Sequence, residues 1–397
     1  MNRTSFSRAD PTVEGWVAPG FESVRHAFAE NLTHRNEHGA ACAAYHEGEC
    51  VVDLWGGVRD IEGAAPWKED TLVLVFSATK GVAAAALAVV QSREGFSHEM
   101  PVAEAWPAFG QHDKREITIG DLLAHRGGLA AIDATLTPER IANRSELMQT
   151  LAAKAPDWRP GTRHGYHAWS LGWYEDELLR RLDPKGRTLS AFVQDEIVKP
   201  LDLEFYVGLP EDVPQDRVAE IASFSMIEML TSIGQFPARM LLSLANPWSL
   251  SSRALKPFPI SSPAELNDPA YRRLPIPSGT GIGTVRSLAR MYGDLAMGGP
   301  RLGLSIDAFG QLTAPAGAET DAVLKTETAY RAGFSKPSPA FPFGSAHAFG
   351  AAGAGGAFGF ADPAQRLGFA YAPNRMGTHL RDDPREVALR NAVRDCL

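Results

Sequence analysis

Short apolar β-patterns lie at both ends of this chain with a long helical pattern between them, and that arrangement restricts the architecture more than any other property. At the N-terminal end, Phe21 to Leu32 carries apolar residues at helical spacing, and Ala40 to Val58 reads as two β-runs joined at "HEGE", where Gly48 permits a positive φ. A third run, "TLVLVF" at Thr71 to Phe76, leads into Ser77. At the C-terminal end, "HAFGAAGAGGAFGFAD" and "RLGFAYAPN" are apolar, glycine-rich and short, and "PREVALRNAVRDCL" closes as an amphipathic helix. From about Ile117 to about Met297 the pattern is helical, in pieces such as "ITIGDLLAH", "LGWYEDELLRRL" and "VRSLARMYGDLAM" separated by Pro and Gly. The economical architecture is α+β: one antiparallel sheet built from both ends and flanked by the terminal helices, with a mostly helical domain inserted. The expected division is a sheet domain from residues 1–76 and 335–397 and a helical domain over 77–334, with the active site at their boundary.

The remaining bulk properties exclude several function classes. A chain of 397 residues, 44% apolar, can bury a large core. Its net charge of -8 and the absence of a long basic run give no electrostatic footprint for nucleic acid. No secretory signal pattern opens the chain and no run of eighteen apolar residues occurs, so a cytoplasmic protein without a membrane span is expected. Cys42, Cys50 and Cys396 show no CxxC spacing, and the eleven histidines show no HExxH or paired spacing, so neither a disulfide framework nor a metal is expected. "SGTGIGTV" at Ser278 lacks the strand-GxGxxG-helix frame of a dinucleotide site, and no serine sits in a GxSxG elbow. No cofactor is expected.

Chemistry concentrates at "VFSATKGV", Val75 to Val82. Residues three apart share a helix face, so Ser77 and Lys80 can bring hydroxyl and amine together. A serine becomes a useful nucleophile beside a base, and a lysine becomes a base when its amine is held neutral by burial. Val75, Phe76, Val82 and Ala83 to Ala86 supply apolar walls for that. The helix N-terminus also favours an oxyanion. The competing reading is an N-cap serine with a solvated lysine. Further along, Tyr166 follows a Gly-flanked loop and can act as a proton relay near an amine, or simply pack as a half-buried aromatic. "GAAGAGGAFGF" offers a backbone N–H to an oxyanion hole, or a tightly packed strand.

In this order the three features resemble the serine β-lactamase and penicillin-binding-protein superfamily, and more closely its class C β-lactamase-related branch, the family VIII carboxylesterases. "EDTLVLVFSATKG", "ITIGDLLAHRGGL", "PGTRHGYHAWSLGW", "KPLDLEFYVGLP" and "GAGGAFGFADP" look like family segments in family order, from Trp16 to Met376. The resemblance implies a β-lactamase-like fold and a set of roles. Ser77 would be acylated, Lys80 and Tyr166 would move protons, and the N–H groups of Ser77 and Ala354 would hold the oxyanion. His167 and Gly353 are further candidates for substrate contact, and, read from this sequence alone, the apolar middle segment with Phe236, Met240, Leu241 and Trp248 is the candidate lining of an acyl pocket. Where class C lactamases carry asparagine in the second motif, this chain has Ala168, and where they carry lysine in the third it has Ala351. Without a cation at Ala351 a substrate carboxylate is not held from that position, which points to neutral esters with short or medium acyl groups. A β-lactamase, DD-peptidase, amidase or acyltransferase with the same acyl-enzyme, and a non-catalytic ligand-binding relative, stand as alternatives. The partner expected is a small-molecule ester; the oligomeric state is left open.

Overall fold

The computed structural model describes residues 12–224, 228, 238–258, 260 and 262–397. Its main sheet has eight strands: β1 (Val13–Val17), β2 (Gly39–His46), β3 (Glu49–Gly57), β4 (Tyr330–Arg331), β5 (Phe334–Ser335), β6 (Phe349–Ala352), β7 (Phe358–Asp362) and β8 (Leu367–Pro373). Their order is β1-β3-β2-β8-β7-β6-β5-β4, and every neighbouring pair is antiparallel. β2 and β3 are joined at Glu47 and Gly48, both with positive φ (52° and 86°), which suits a two-residue hairpin turn. The seam that unites the two ends of the chain is β2 against β8, in register from Ala40 opposite Pro373 to His46 opposite Leu367.

Five helices bear on the site: α1 (Glu22–His34), α2 (Thr79–Glu94), α3 (Ser170–Leu182), α4 (Val285–Ala296) and α5 (Pro384–Arg394). The terminal helices α1 and α5 cover one face of the sheet, where Phe28, Leu32, Leu389 and Val393 pack with Phe358, Phe360 and Phe369. On the opposite face α4 lies on the central strands so closely that a Cβ on Gly368 would fall 2.1 Å from the Gly293 nitrogen. Two details of the expected division change. The sheet reaches back to Tyr330, ahead of the boundary drawn at 335, because β4 and β5 form a hairpin that pairs with β6. And α4, inside the stretch read as helical insertion, packs on the sheet through a face bearing Leu288 and Tyr292. Of the "TLVLVF" run only Val73–Leu74 is strand, paired with Gly281–Gly283 in a separate small sheet that Phe205–Val207 completes.

Candidate active site

Ser77 sits in a single 3-10 turn, Phe76–Ala78, between Val73–Leu74 and α2. α2 is buried from Thr79 through Gln91, as expected of a helix apolar all round, and the alanines let its neighbours approach closely. The turn is pinned from three sides: Val75 N–H donates to Gly281 O (2.9 Å), Thr79 Oγ1 donates to Phe76 O (2.5 Å), and Gly281 N–H donates to Thr79 Oγ1 (2.9 Å). Phe76 takes φ +48°, a left-handed conformation that is unfavourable for a residue with a Cβ and is held here by those bonds.

Lys80 points back along α2 toward Ser77, as helical side chains do. Its Nζ lies 3.1 Å from Ser77 Oγ and donates to Ala168 O (2.5 Å) and Ser278 O (2.9 Å). A neutral amine has two N–H groups and one lone pair, so two carbonyls and one hydroxyl are the partners it needs. Burial pushes Lys80 from 10.5 down to about 7, with the Glu175 carboxyl drawing it partly back. The Ser278 carbonyl comes from the glycine-rich "SGTGIGTV" segment, which thus serves the lysine; Ser278 Oγ also accepts from Gly172 N–H on α3 (2.7 Å).

Tyr166 lies across from this pair. The Lys80 Nζ is 5.0 Å from the centre of its ring, and the hydroxyl faces the Ser77 side chain. Burial pushes the phenol up to about 12, only partly offset by the Ser77 side chain. Asp321 holds the loop: its Oδ1 accepts from the N–H groups of Tyr166 (3.1 Å), Val323 (2.7 Å) and Leu324 (2.8 Å), and its Oδ2 from Thr328 Oγ1 (3.1 Å). The Tyr166 ring stacks on Tyr330, with centres 5.9 Å apart and an angle of 14°, and His125 meets its edge.

The end of β6 forms the other wall. A Cβ on Gly353 would lie 2.2 Å from Val75 O and 3.3 Å from Ala78 N, so only glycine lets this strand end close on the Ser77 turn. Ala354, exposed, opens a short turn in which Gly355 takes φ +81°. The Gly355 carbonyl accepts from Arg385 Nη2 (3.0 Å), and that guanidinium is itself bound by Asp383 and Glu37.

The sequence-predicted residues do not all converge. Ser77, Lys80, Tyr166, Gly353 and the Ala354 turn come together. His167 does not face a ligand: it is fully buried, its Nε2 accepts from Leu129 N–H (2.9 Å) and its Nδ1–H donates to Gly165 O (2.7 Å), which fixes the neutral tautomer and makes it a brace for the Tyr166 loop. Met240 is buried in an apolar cluster with Trp158, Val323 and Leu324, against which Tyr166 packs. Trp248 is 85% exposed and lines no wall near Ser77. Phe236 lies outside the described residues. Residues missed by sequence reasoning are Asp321, His125, Tyr330 and Glu175; each is placed by distant parts of the chain, and no local pattern marks it.

Among the described residues no group of three or more His, Cys, Asp or Glu side chains could hold a metal ion, and no helix is long and apolar enough to cross a membrane.

Comparison with known proteins identifies the family. A family model described as "Beta-lactamase" matches residues 24–393. The chain is 31% identical over 366 residues to the esterase/beta-lactamase LipL of Mycobacterium tuberculosis (strain ATCC 25618 / H37Rv), covering 92% of this chain and 83% of that protein. It superimposes on the crystal structure of a family VIII carboxylesterase with a TM-score of 0.86 at 32% identity, covering 97% of this chain and 100% of the other. A penicillin-binding protein homolog from Caulobacter crescentus gives 0.81 at 32% identity with the same coverage.

Proposed function

This chain belongs to the beta-lactamase family, and on that premise we propose that it is a serine hydrolase that cleaves carboxylic esters of short or medium acyl groups through a Ser77 acyl-enzyme. The observation that carries the reading is the Lys80 amine, with two carbonyls on its N–H groups and Ser77 Oγ as its third neighbour. Lys80 as the free amine takes the Ser77 proton while Oγ attacks the ester carbonyl carbon. The oxyanion forms against the N–H groups of Ser77 and Ala354. Collapse breaks the C–O bond, and the proton held by Lys80 passes to the departing alkoxide through the Tyr166 hydroxyl. Water then enters by the reverse path, its proton going to Lys80, and the carboxylic acid leaves as Ser77 regains its hydrogen. Since Tyr166 is pushed up to about 12 and Lys80 down to about 7, the lysine suits the base role at neutral pH and the phenol suits the relay.

Esters are favoured over β-lactams by the surroundings. Ala351 is buried against Gly81 of α2, which leaves no cationic side chain at that point for a substrate carboxylate. The wall behind Tyr166 is apolar: Ala130, Trp158, Met240, Ala254, Val323 and Leu324. The family VIII carboxylesterase at 32% identity supports the same choice. The test uses wild type and Ser77→Ala with p-nitrophenyl butyrate and a chromogenic cephalosporin, together with a phosphonate ester followed by mass spectrometry. Ester turnover lost in Ser77→Ala, and a mass adduct on Ser77, are the expected results. Undiminished turnover in Ser77→Ala overturns the mechanism, and cephalosporin hydrolysis at comparable efficiency overturns the substrate choice.

A further inference from the structure

Glu175 is the anomaly of the helical layer. Its side chain is fully buried, and neither carboxyl oxygen has a hydrogen-bond partner among the described residues. The adjacent acids on α3, Asp176 and Glu177, turn away to Arg144. Glu175 instead enters the contact between α3, α2 and the β4–β5 turn. A Cβ on Gly333 would lie 3.1 Å from Glu175 Oε1 and 2.6 Å from Ala84 Cβ, and Ala84 is one helical turn beyond Lys80 on the same face of α2. The titratable groups that face the carboxyl are Lys80, from α2, and Tyr166, from the loop ahead of α3. From the β4–β5 hairpin, Arg331 is engaged with Gln311. A carboxylate without donors loses its solvation for nothing in return, so a carboxyl in this place is neutral unless a cation faces it. Among the described residues the cation whose charge reaches it is the ammonium of Lys80.

We propose that Glu175, a buried carboxyl without hydrogen-bond partners beside α2, is a positioning residue for acylation whose carboxylate stabilises the ammonium that Lys80 becomes on taking the Ser77 proton. The inference rests on the reading of Lys80 as general base. Burial pushes Glu175 up to about 8 and Lys80 down to about 7, and each is drawn partly back by the charge of the other. As pH rises the lysine therefore gives up its proton first and the glutamate second, and the two titrate as a pair. In the intermediate range the core holds an amine and a carboxylic acid, with no net charge. Above about pH 8 the new carboxylate increases the proton affinity of Lys80, which remains mostly unprotonated because about 7 already includes that attraction. The gain appears as the proton moves from Oγ to Nζ, about three- to tenfold in rate for one charge acting across a partly shielded interior.

The experiment is the pH profile of kcat/KM and kcat for p-nitrophenyl butyrate, corrected for hydroxide-catalysed background, in wild type, Glu175→Gln and Glu175→Asp. The wild type is expected to rise twice, at or below about pH 7 and again above about pH 8. Glu175→Gln keeps the shape of the acid without its charge, so it loses the second rise, and the loss falls on kcat rather than KM. Glu175→Asp retains a carboxyl and restores a second rise of smaller amplitude. A second rise that persists in Glu175→Gln, or one absent from the wild type, overturns the proposal; if Glu175→Gln does not fold, a Glu175→Asp profile without a second rise overturns it equally. Failure of the underlying mechanism is seen separately, as activity that survives Ser77→Ala or Lys80→Arg.

Discussion

Acidification should switch off acyl transfer through one side chain, Lys80. An exposed lysine at the ordinary 10.5 is unprotonated in about one molecule per thousand at pH 7.5, whereas an amine at about 7 is unprotonated in about three of four. The difference is a several-hundredfold gain in active base, and it corresponds to a net of about 5 kcal/mol against the ammonium, burial opposing it and Glu175 partly offsetting that. With Glu175 still a neutral acid in this range, the acid limb of kcat/KM falls no higher than about pH 7, and activity drops about tenfold for each pH unit below it. The assay is p-nitrophenyl butyrate turnover from about pH 5 to pH 8, with the rate of phosphonate labelling of Ser77 as a measure free of deacylation. Lys80→Arg provides the companion test. Guanidinium has five donors and no lone pair to accept a proton, so this variant should lose about a thousandfold or more at every pH. A profile flat across the range, one still rising about tenfold per pH unit at about pH 8, or a Lys80→Arg enzyme within about tenfold of wild type refutes the reasoning.

Two further changes probe the frame around Tyr166. Asp321→Asn turns one of the oxygens that accept from Tyr166, Val323, Leu324 and Thr328 into a donor, which should cost about 2 kcal/mol in urea unfolding and lower kcat as the Tyr166 loop relaxes. His167→Phe leaves Leu129 N–H and Gly165 O unpaired, at about 2–4 kcal/mol near neutral pH. Burial holds His167 at about 4, below its ordinary 6.5, so the unfolded chain takes up a proton there that the folded one refuses. Wild-type stability therefore falls as pH drops from about 6.5 to about 4, and in His167→Phe that slope should flatten by up to about 3 kcal/mol across the interval.

What could be read from the chain depended on whether a residue's role is local. Ser77 and Lys80 were legible because three-residue spacing on a helix is itself a geometry, and the ends of the chain were legible as sheet because short apolar runs need partners. The Gly353 approach to Val75 was legible as a glycine-rich strand without naming its neighbour. Trp248 was misplaced because a loop's composition carries no direction, and its ring points to solvent. His167 was misread because it adjoins Tyr166 in the chain, whereas the peptide turns between them and sends the imidazole inward to Leu129 and Gly165. Glu175 stands in "WYEDELL", where three consecutive acids give no sign of which one turns inward. Packing against Ala84 and Gly333, far away in the chain, separates it from the other two.

The β2–β8 seam has a consequence for how the molecule is made. The central pairing of the sheet joins strands from opposite ends of the chain, so closing it means ordering a loop that contains almost the whole protein. β6, whose end closes on Ser77, reaches β2 only through β7 and β8. The strand end that closes on the Ser77 turn is therefore set in place after the segments carrying Ser77, Lys80 and Tyr166 have been synthesised. Folding should be slow and dominated by long-range contacts, and burst-labelling of Ser77 by a phosphonate during refolding should lag behind helix formation measured by far-ultraviolet circular dichroism.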